Sequence, residues 1–256
     1  MWGIIPAAGT GSRIQPLAFS KELLPVGSYM SGASERPRAV SEYLVERMVS
    51  GGVDKICFVI SPGKSDILDY FGAHALAANI FYAVQPQPAG LCDAIFRALP
   101  LIPPQEEVCI GLPDTIWFPE DALARVPPGR LSLLLFPVEK PEHFDAVLTD
   151  GDDKVIEVRV KNAHAGTKWI WGAFRMPGFI LAELYGLWKN RQDEYLGTLL
   201  NEYLARNGQA YGFKIGESYV DVGTLNGYRE ALRLLDANRL DANPVGQNQA
   251  SEVTQF

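Results

Sequence analysis

Short, continuous apolar runs alternate with amphipathic stretches along the first half of the chain. Eight runs have the length and composition of strands: Gly3–Pro6, Ile56–Ile60, Ile80–Val84, Val108–Leu112, Leu131–Phe136, Val155–Val160, Trp169–Phe174 and Gln209–Ile215. Most lack in/out alternation, the pattern of strands covered on both faces. Helical spacing falls on Ser41–Ser50, Ser65–Phe71, Leu91–Leu99, Phe179–Trp188, Glu194–Arg206 and Leu225–Asn238. In the first of these Leu44, Val45, Met48 and Val49 share one face, and Gly51-Gly52 ends the pattern. Alternating strand and helix up to about residue 112 predicts an α/β doubly wound, mostly parallel sheet. Beyond Arg130 three strands follow one another before helices resume, which predicts a smaller lobe over roughly 130–178. Residues 1–240 then form one domain. "GSYMSGASERPR" (27–38) is rich in Gly and Ser and is expected to be a long loop. "DANPVGQNQASEVTQF" (241–256) is polar and unpatterned and is expected to be a flexible tail.

Composition narrows the function. With 47% hydrophobic residues in 256, the chain can build a sizeable core. Its formal charge of −7 lacks the basic footprint of a nucleic-acid binder, while a local cationic pocket for a small anion stays compatible with it. No apolar run approaches the roughly 20 residues that cross a bilayer, so no membrane partner is expected. Cys57, Cys92 and Cys109 form no C-x-x-C pair, and two of them sit in apolar runs. Reduced, buried thiols and a cytoplasmic setting are expected, since no leader pattern precedes the first strand. His74, His143 and His164 have no ligand spacing.

The chemistry concentrates in "IIPAAGTGSRIQPLAFSKELLP" (4–25). A buried strand breaks into Ala7-Ala8-Gly9-Thr10-Gly11-Ser12, whose small side chains leave backbone N–H groups bare. Such a turn forms a concave nest for anionic oxygens. Arg13 adds a planar fork of donors and Lys21 a compact charge. Two commoner phosphate motifs are excluded. Ile14 occupies the third glycine of G-x-G-x-x-G, and "SPGKS" (61–65) has Phe58 where the first glycine of G-x-x-x-x-G-K-[ST] belongs. "SPGKS" is expected to be an ordinary strand-to-helix turn with Ser65 as its cap.

At these residues the chain resembles the sugar-phosphate nucleotidyltransferases, among them the glucose-1-phosphate thymidylyltransferases. Their opening G-G-x-G-T-R-L-x-P-x-T-x-x-x-[PS]-K-x-L-L-P-V is similar to "AAGTGSRIQPLAFSKELLPV". "YAVQPQPAGLCDA" (82–94) is similar to Y-x-x-Q-x-x-P-x-G-L-A-x-A, and "GLPDT" (111–115) stands in place of a strand-end L-P-D. "YVDVGTLNGYREA" (219–231) is similar to W-x-D-x-G-T-x-x-S-L-x-E-A. Four motifs in order span most of residues 1–235. The resemblance implies a Rossmann-like core with a sugar-binding lobe and a Mg²⁺-dependent reaction. A nucleoside triphosphate and a sugar 1-phosphate would give a nucleotide-sugar and pyrophosphate. It places Ala8, Gly9, Gly11, Ser12, Arg13 and Lys21 on the triphosphate, Gln85 and Gly90 at the base, and Asp114 and Asp221 on Mg²⁺. Lys161, Asp145 and Gly172 fall on the sugar phosphate, and homo-oligomers are usual in the family. A glutamine amide offers donor and acceptor together, which suits thymine or uracil. The sugar phosphate is itself an anionic nucleophile, so positioning and charge neutralisation carry such chemistry and no catalytic base is needed.

The sugar side departs from the family. Val160 stands where a glutamate that contacts sugar hydroxyls is usual, Asn162 replaces a proline, and Asp145 replaces a glycine. Asp145 is open to two readings: contact with a hydroxyl or amine of a sugar other than glucose, or a solvated turn. Trp169 and Trp171 fall on one strand face and fit the core of the lobe better than a sugar platform. Other nucleotidyltransferases stay open, including UDP-sugar or other pyrophosphorylases acting on a non-glucose sugar phosphate. Methylerythritol-phosphate cytidylyltransferases share A-A-G-x-G-x-R but lack the later matches. A silent nucleotide-sugar sensor is the alternative from another class, and the retained aspartates and cations argue against it.

Overall fold

A computed structural model describes residues 1–242. The strands are β1 (Trp2–Pro6), β2 (Pro25–Ser31), β3 (Ser34–Ala39), β4 (Lys55–Ile60), β5 (His74–Ala75), β6 (Ala78–Val84), β7 (Glu107–Gly111), β8 (Thr115–Phe118), β9 (Leu131–Pro137), β10 (Asp145–Thr149), β11 (Val155–Val160), β12 (Trp169–Pro177), β13 (Ala210–Phe213) and β14 (Ser218–Asp221). The helices are α1 (Val40–Ser50), α2 (Ser65–Phe71), α3 (Gly90–Arg97), α4 (Gly178–Arg191), α5 (Leu196–Ala205) and α6 (Leu225–Ala242). Ten strands form one twisted mixed sheet in the order β11-β10-β12-β7-β1-β4-β6-β5, with β9 pairing β12 and β13.

The parallel strands β7-β1-β4-β6 are the apolar runs of the first half, in register Ile4↔Cys57 and Ile4↔Ile110. Both faces are covered. Ile4, Cys57 and Val108 pack with α3, α4 and α5, while Ile5, Phe58 and Cys109 pack with α1 and α2. Close approach fixes this stacking: a Cβ on Gly111 would stand 2.6 Å from Leu44 Cδ1 of α1. The strands after Arg130 extend the same sheet. The nine residues of β12 act as its seam, with Ala173–Pro177 antiparallel to β7, Ile170 against β10 and the other edge on β9.

The stretch 27–38 is not a loop. It forms most of the antiparallel hairpin β2–β3, with Ser31 opposite Ser34. Gly and Ser pointed to a turn, but only the two residues Gly32-Ala33 make it, and Gly32 has φ +62°. Lys64, not Ser65, precedes the first turn of α2, and no side chain caps it. Asp66 instead accepts the Ile67 amide at 3.0 Å. Residues 241 and 242, assigned to the tail, close α6; the remainder of that assignment lies outside the described residues. The three cysteines are buried, and burial pushes each thiol up to about 12, so the protonated form is held. No helix among the described residues is long and apolar enough to cross a membrane.

Candidate active site

Chain direction in the parallel sheet determines where a ligand can sit. The carboxyl ends of β1, β6 and β7 all open onto one side, the usual crevice of such sheets. There a cavity of about 790 Å³ is lined by Ala8, Gly9, Thr10, Arg13 and Lys21 from the opening loop, Gln85 and Gly90 after β6, and Asp114 after β7. Asp221, ending β14, lines it as well, as do Asp145, Lys161 and Trp171 of the strands after Arg130 and the turn following them. Residues separated by as much as 213 positions thus share one cleft. Gly11, Ser12 and Gly172 do not line it. Gly11 has φ +66°, and a Cβ there would stand 2.8 Å from Lys21 Cδ, so it serves Lys21 by leaving room. Ser12 is exposed on the turn. Gly172 lets Phe136 and Tyr219 close over the strand, since its Cβ would fall 2.5 Å from Phe136 Cε2.

The charges are paired across the cleft. Lys21 Nζ donates to Asp114 Oδ2, and Arg13 Nη2 donates to Asp221 Oδ2 at 3.1 Å. Burial pushes the Asp114 carboxyl up, but Lys21, with Arg13 further off, outweighs it and holds the group below its ordinary value. Burial pulls Lys21 down, and Asp114 and Glu22 more than reverse this. Gly223 marks where the groups meet. A Cβ on it would stand 2.8 Å from Asp221 Oδ1, 3.0 Å from Arg13 Nη2 and 3.1 Å from Asp114 Oδ2. Asp114 and Asp221 thus face one region, and two carboxylates are the donor type that a hard divalent ion takes when phosphate oxygens and water complete its shell. Among the described residues no cluster of three or more His, Cys, Asp or Glu could hold a metal, so the protein would supply only these two.

Two features escaped the sequence. Lys64 of "SPGKS" is buried, and its ammonium donates to Glu22 Oε1 and Oε2 and to the Ala7 carbonyl, each at 2.7 Å. Glu22 is fully buried beside Lys21, so Lys64 ties the opening turn at Ala7 to the segment that carries Lys21. A fully apolar helix start at that turn would have been as good a sequence pattern, and nothing local marked the ion pair. Gln85 also differs from expectation. Its amide nitrogen donates to Asp93 Oδ2 at 2.9 Å and to the Gly90 carbonyl at 3.1 Å, and Arg97 anchors Asp93. The donor is spent inside the protein, and the carbonyl has no protein partner among the described residues. At Gly90, with φ +83°, the near neighbour is Glu194, whose Cγ would lie 2.7 Å from a Cβ. In the same cavity Trp171 Nε1 donates to Asp145 Oδ2 at 3.3 Å, and Lys161 Nζ lies 4.5 Å over the Tyr195 ring. Trp171 is therefore both core, packed on Phe174, and cleft wall. Glu142, Phe144, Glu194, Tyr195 and Tyr219 also line the wall without having been singled out from sequence, as does His143, expected to be incidental.

A parallel-sheet crevice with a small-residue nest, two cations and two facing carboxylates defines a phosphate-handling transferase. The chain belongs to the nucleotidyl transferase family, whose sequence model matches residues 2–238. It is 24% identical over 228 residues to the bifunctional protein GlmU of Methanococcus maripaludis, covering 87% of this chain and 51% of that one. It is 24% identical over 244 residues to a glucose-1-phosphate thymidylyltransferase of Mycolicibacterium smegmatis, covering 90% and 81%. The chain thus spans about half the length of the GlmU relative and most of the other. Its fold is similar to that of UTP-bound UGPase from Acinetobacter baumannii, with a TM-score of 0.74, 18% identity, and 94% and 98% of the two chains covered.

Proposed function

We propose that the chain joins a nucleoside triphosphate, dTTP or UTP, to a sugar 1-phosphate and releases pyrophosphate. An acceptor phosphate oxygen attacks the α-phosphorus as the bond to the β-phosphate bridging oxygen breaks, so no proton has to be removed from the nucleophile. The observation that carries this is the meeting of Arg13, Asp114 and Asp221 around Gly223, with Lys21 on Asp114, beside the nest. Ala8 and Gly9 offer bare backbone to the triphosphate. Arg13 and Lys21 neutralise its oxygens, Lys21 being the better fixed because its ammonium is largely buried whereas Arg13 is mostly exposed. Asp114 and Asp221 would hold Mg²⁺, which when bound draws charge from the phosphates. The Gln85 carbonyl suits the N3–H of thymine or uracil, and Lys161 suits the acceptor phosphate.

The opposing charges are already fixed in place, so little reorganisation is needed when the phosphates arrive. The decisive experiment is a matrix of five nucleoside triphosphates against a panel of sugar phosphates with and without Mg²⁺, read by pyrophosphate appearance. Turnover confined to dTTP or UTP, with a sugar phosphate and metal, is expected. Metal-independent nucleotide-sugar binding with no turnover would instead establish a sensor.

A further inference from the structure

We propose that the acceptor is a phosphomonoester carrying an ammonium group, a sugar 1-phosphate or a smaller one, and that Asp145 is the residue that selects it; this rests on the nucleotidyl-transfer function proposed above and defines its acceptor by charge.

Asp145 opens β10, opposite Val160 in the register and therefore beside Lys161. Its carboxylate is held from two sides. The Trp171 indole donates to Oδ2 at 3.3 Å. Helix α5 comes close because Gly197 has no side chain: a Cβ there would stand 3.2 Å from Asp145 Oδ2, 2.7 Å from Val160 Cγ2 and 2.8 Å from Val158 Cγ1. The usual glutamate position is thus a packing valine, and the carboxylate of this cleft wall comes from the neighbouring strand.

That carboxylate lacks a cation. Among the described residues no lysine, arginine or histidine lies within ion-pair distance of it, and one indole hydrogen bond fills only one of its several acceptor sites. Burial pushes its carboxyl up, and Trp171 and Lys161 reverse this only in part. The surroundings sharpen the need. Glu142 and Glu194 line the same cavity, whose other cations Arg13 and Lys21 are already paired with Asp221 and Asp114, which leaves Lys161 and His143 as its remaining basic groups. Once the acceptor phosphate takes Lys161, no ammonium is left to balance Asp145. A hydroxyl would donate a hydrogen bond but leave the half-buried charge uncompensated, whereas an ammonium supplies both. Trp171, Tyr195 and Phe144 line the same cavity, and aromatic rings there are compatible with a bound cation.

The test uses matched acceptors differing only in amine against hydroxyl: glucosamine 1-phosphate against glucose 1-phosphate, and ethanolamine phosphate against ethylene glycol phosphate. Pyrophosphate release is measured with dTTP and UTP. At least one aminated acceptor is expected to exceed its neutral partner tenfold or more in kcat/KM. Asp145→Asn, which keeps shape and can still accept from Trp171, is expected to cut that ratio at least tenfold. A ratio at or below one for both pairs, or a ratio that D145N leaves unchanged, overturns the proposal. Absence of pyrophosphate with every acceptor strikes the nucleotidyl-transfer function itself. Calorimetry with a non-hydrolysable triphosphate then decides the role of Asp145 separately: a tenfold Kd preference for an aminated phosphate, lost in D145N, upholds it, and equal Kd values refute it.

Discussion

The two ends of the cleft are built on opposite electrostatic principles. At the nucleotide end every buried charge has its counter-charge in the protein: Lys21 with Asp114, Lys64 with Glu22, Arg97 with Asp93. At the acceptor end Asp145 has none, and Lys161 rests over an aromatic ring. The first set of charges is fixed by the protein itself, as the proposed triphosphate site requires. The second leaves charge for the ligand to complete, which is how a site distinguishes one acceptor from another.

The comparison can be broken most severely at Lys64. Lys64→Met strands the fully buried Glu22 carboxylate and should destabilise the fold by about 3–5 kcal/mol. The Glu22→Gln/Lys64→Met double variant should recover most of this in denaturant titrations, and a double variant no better than the single would show that the pair is not the source. Next is the Lys21–Asp114 pair. Lys21→Ala and Asp114→Asn should each lower kcat about 10²–10³-fold with the melting transition still cooperative, and full activity in either removes that residue from the site. Gly90→Ala tests the boundary between the two ends. It forces a side chain into φ +83° and against Glu194, and should cost about 1–2 kcal/mol while raising the KM for the triphosphate more than that for the acceptor.

The smallest effect sharpens the nucleotide end through pH. Asp66 accepts from Ser20 N and Oγ, each at 2.6 Å, and so anchors the residue before Lys21. Burial pushes its carboxyl up, but the Ser20 hydrogen bonds outweigh that and hold it below the usual carboxylate value. A lowered folded-state value means stabilisation that is present above the unfolded value near pH 4 and lost as pH falls through the folded one. Asp66→Ala should therefore cost about 1–2 kcal/mol at pH 7, with the gap from the parent protein closing below pH 4. A gap independent of pH would place the effect in packing.

Much of this was legible along the chain. The continuous apolar runs of β1, β4, β6 and β7 and the one-faced pattern of α1 are local, because a strand covered on both faces and a helix covered on one must carry those patterns wherever they end up. The grouping of the opening turn was legible for the same reason: small residues, an arginine and a lysine sit close together along the chain, and Ala8, Gly9, Arg13 and Lys21 line one cleft. Strands β8 and β14 were harder. Each has only four residues, and each exists because the other pairs with it across more than a hundred positions. The hairpin β2–β3 hid behind Gly and Ser, although a two-residue Gly-Ala turn between extended arms was its signal.

What the sequence determined alone was residue type and local periodicity: a parallel α/β core, buried thiols, and a turn suited to phosphate. Only the tertiary structure decided which charges face one another. Lys64 looked like a turn residue and became the partner of Glu22; Gln85 looked free to read a base and spent its donor on Asp93; Asp145 looked like a departure and became an unpaired carboxylate against Trp171 and Gly197. Ion pairing and desolvation depend on distances of a few ångströms between distant segments, and no pattern along the chain encodes those distances until the sheet brings its strand ends together.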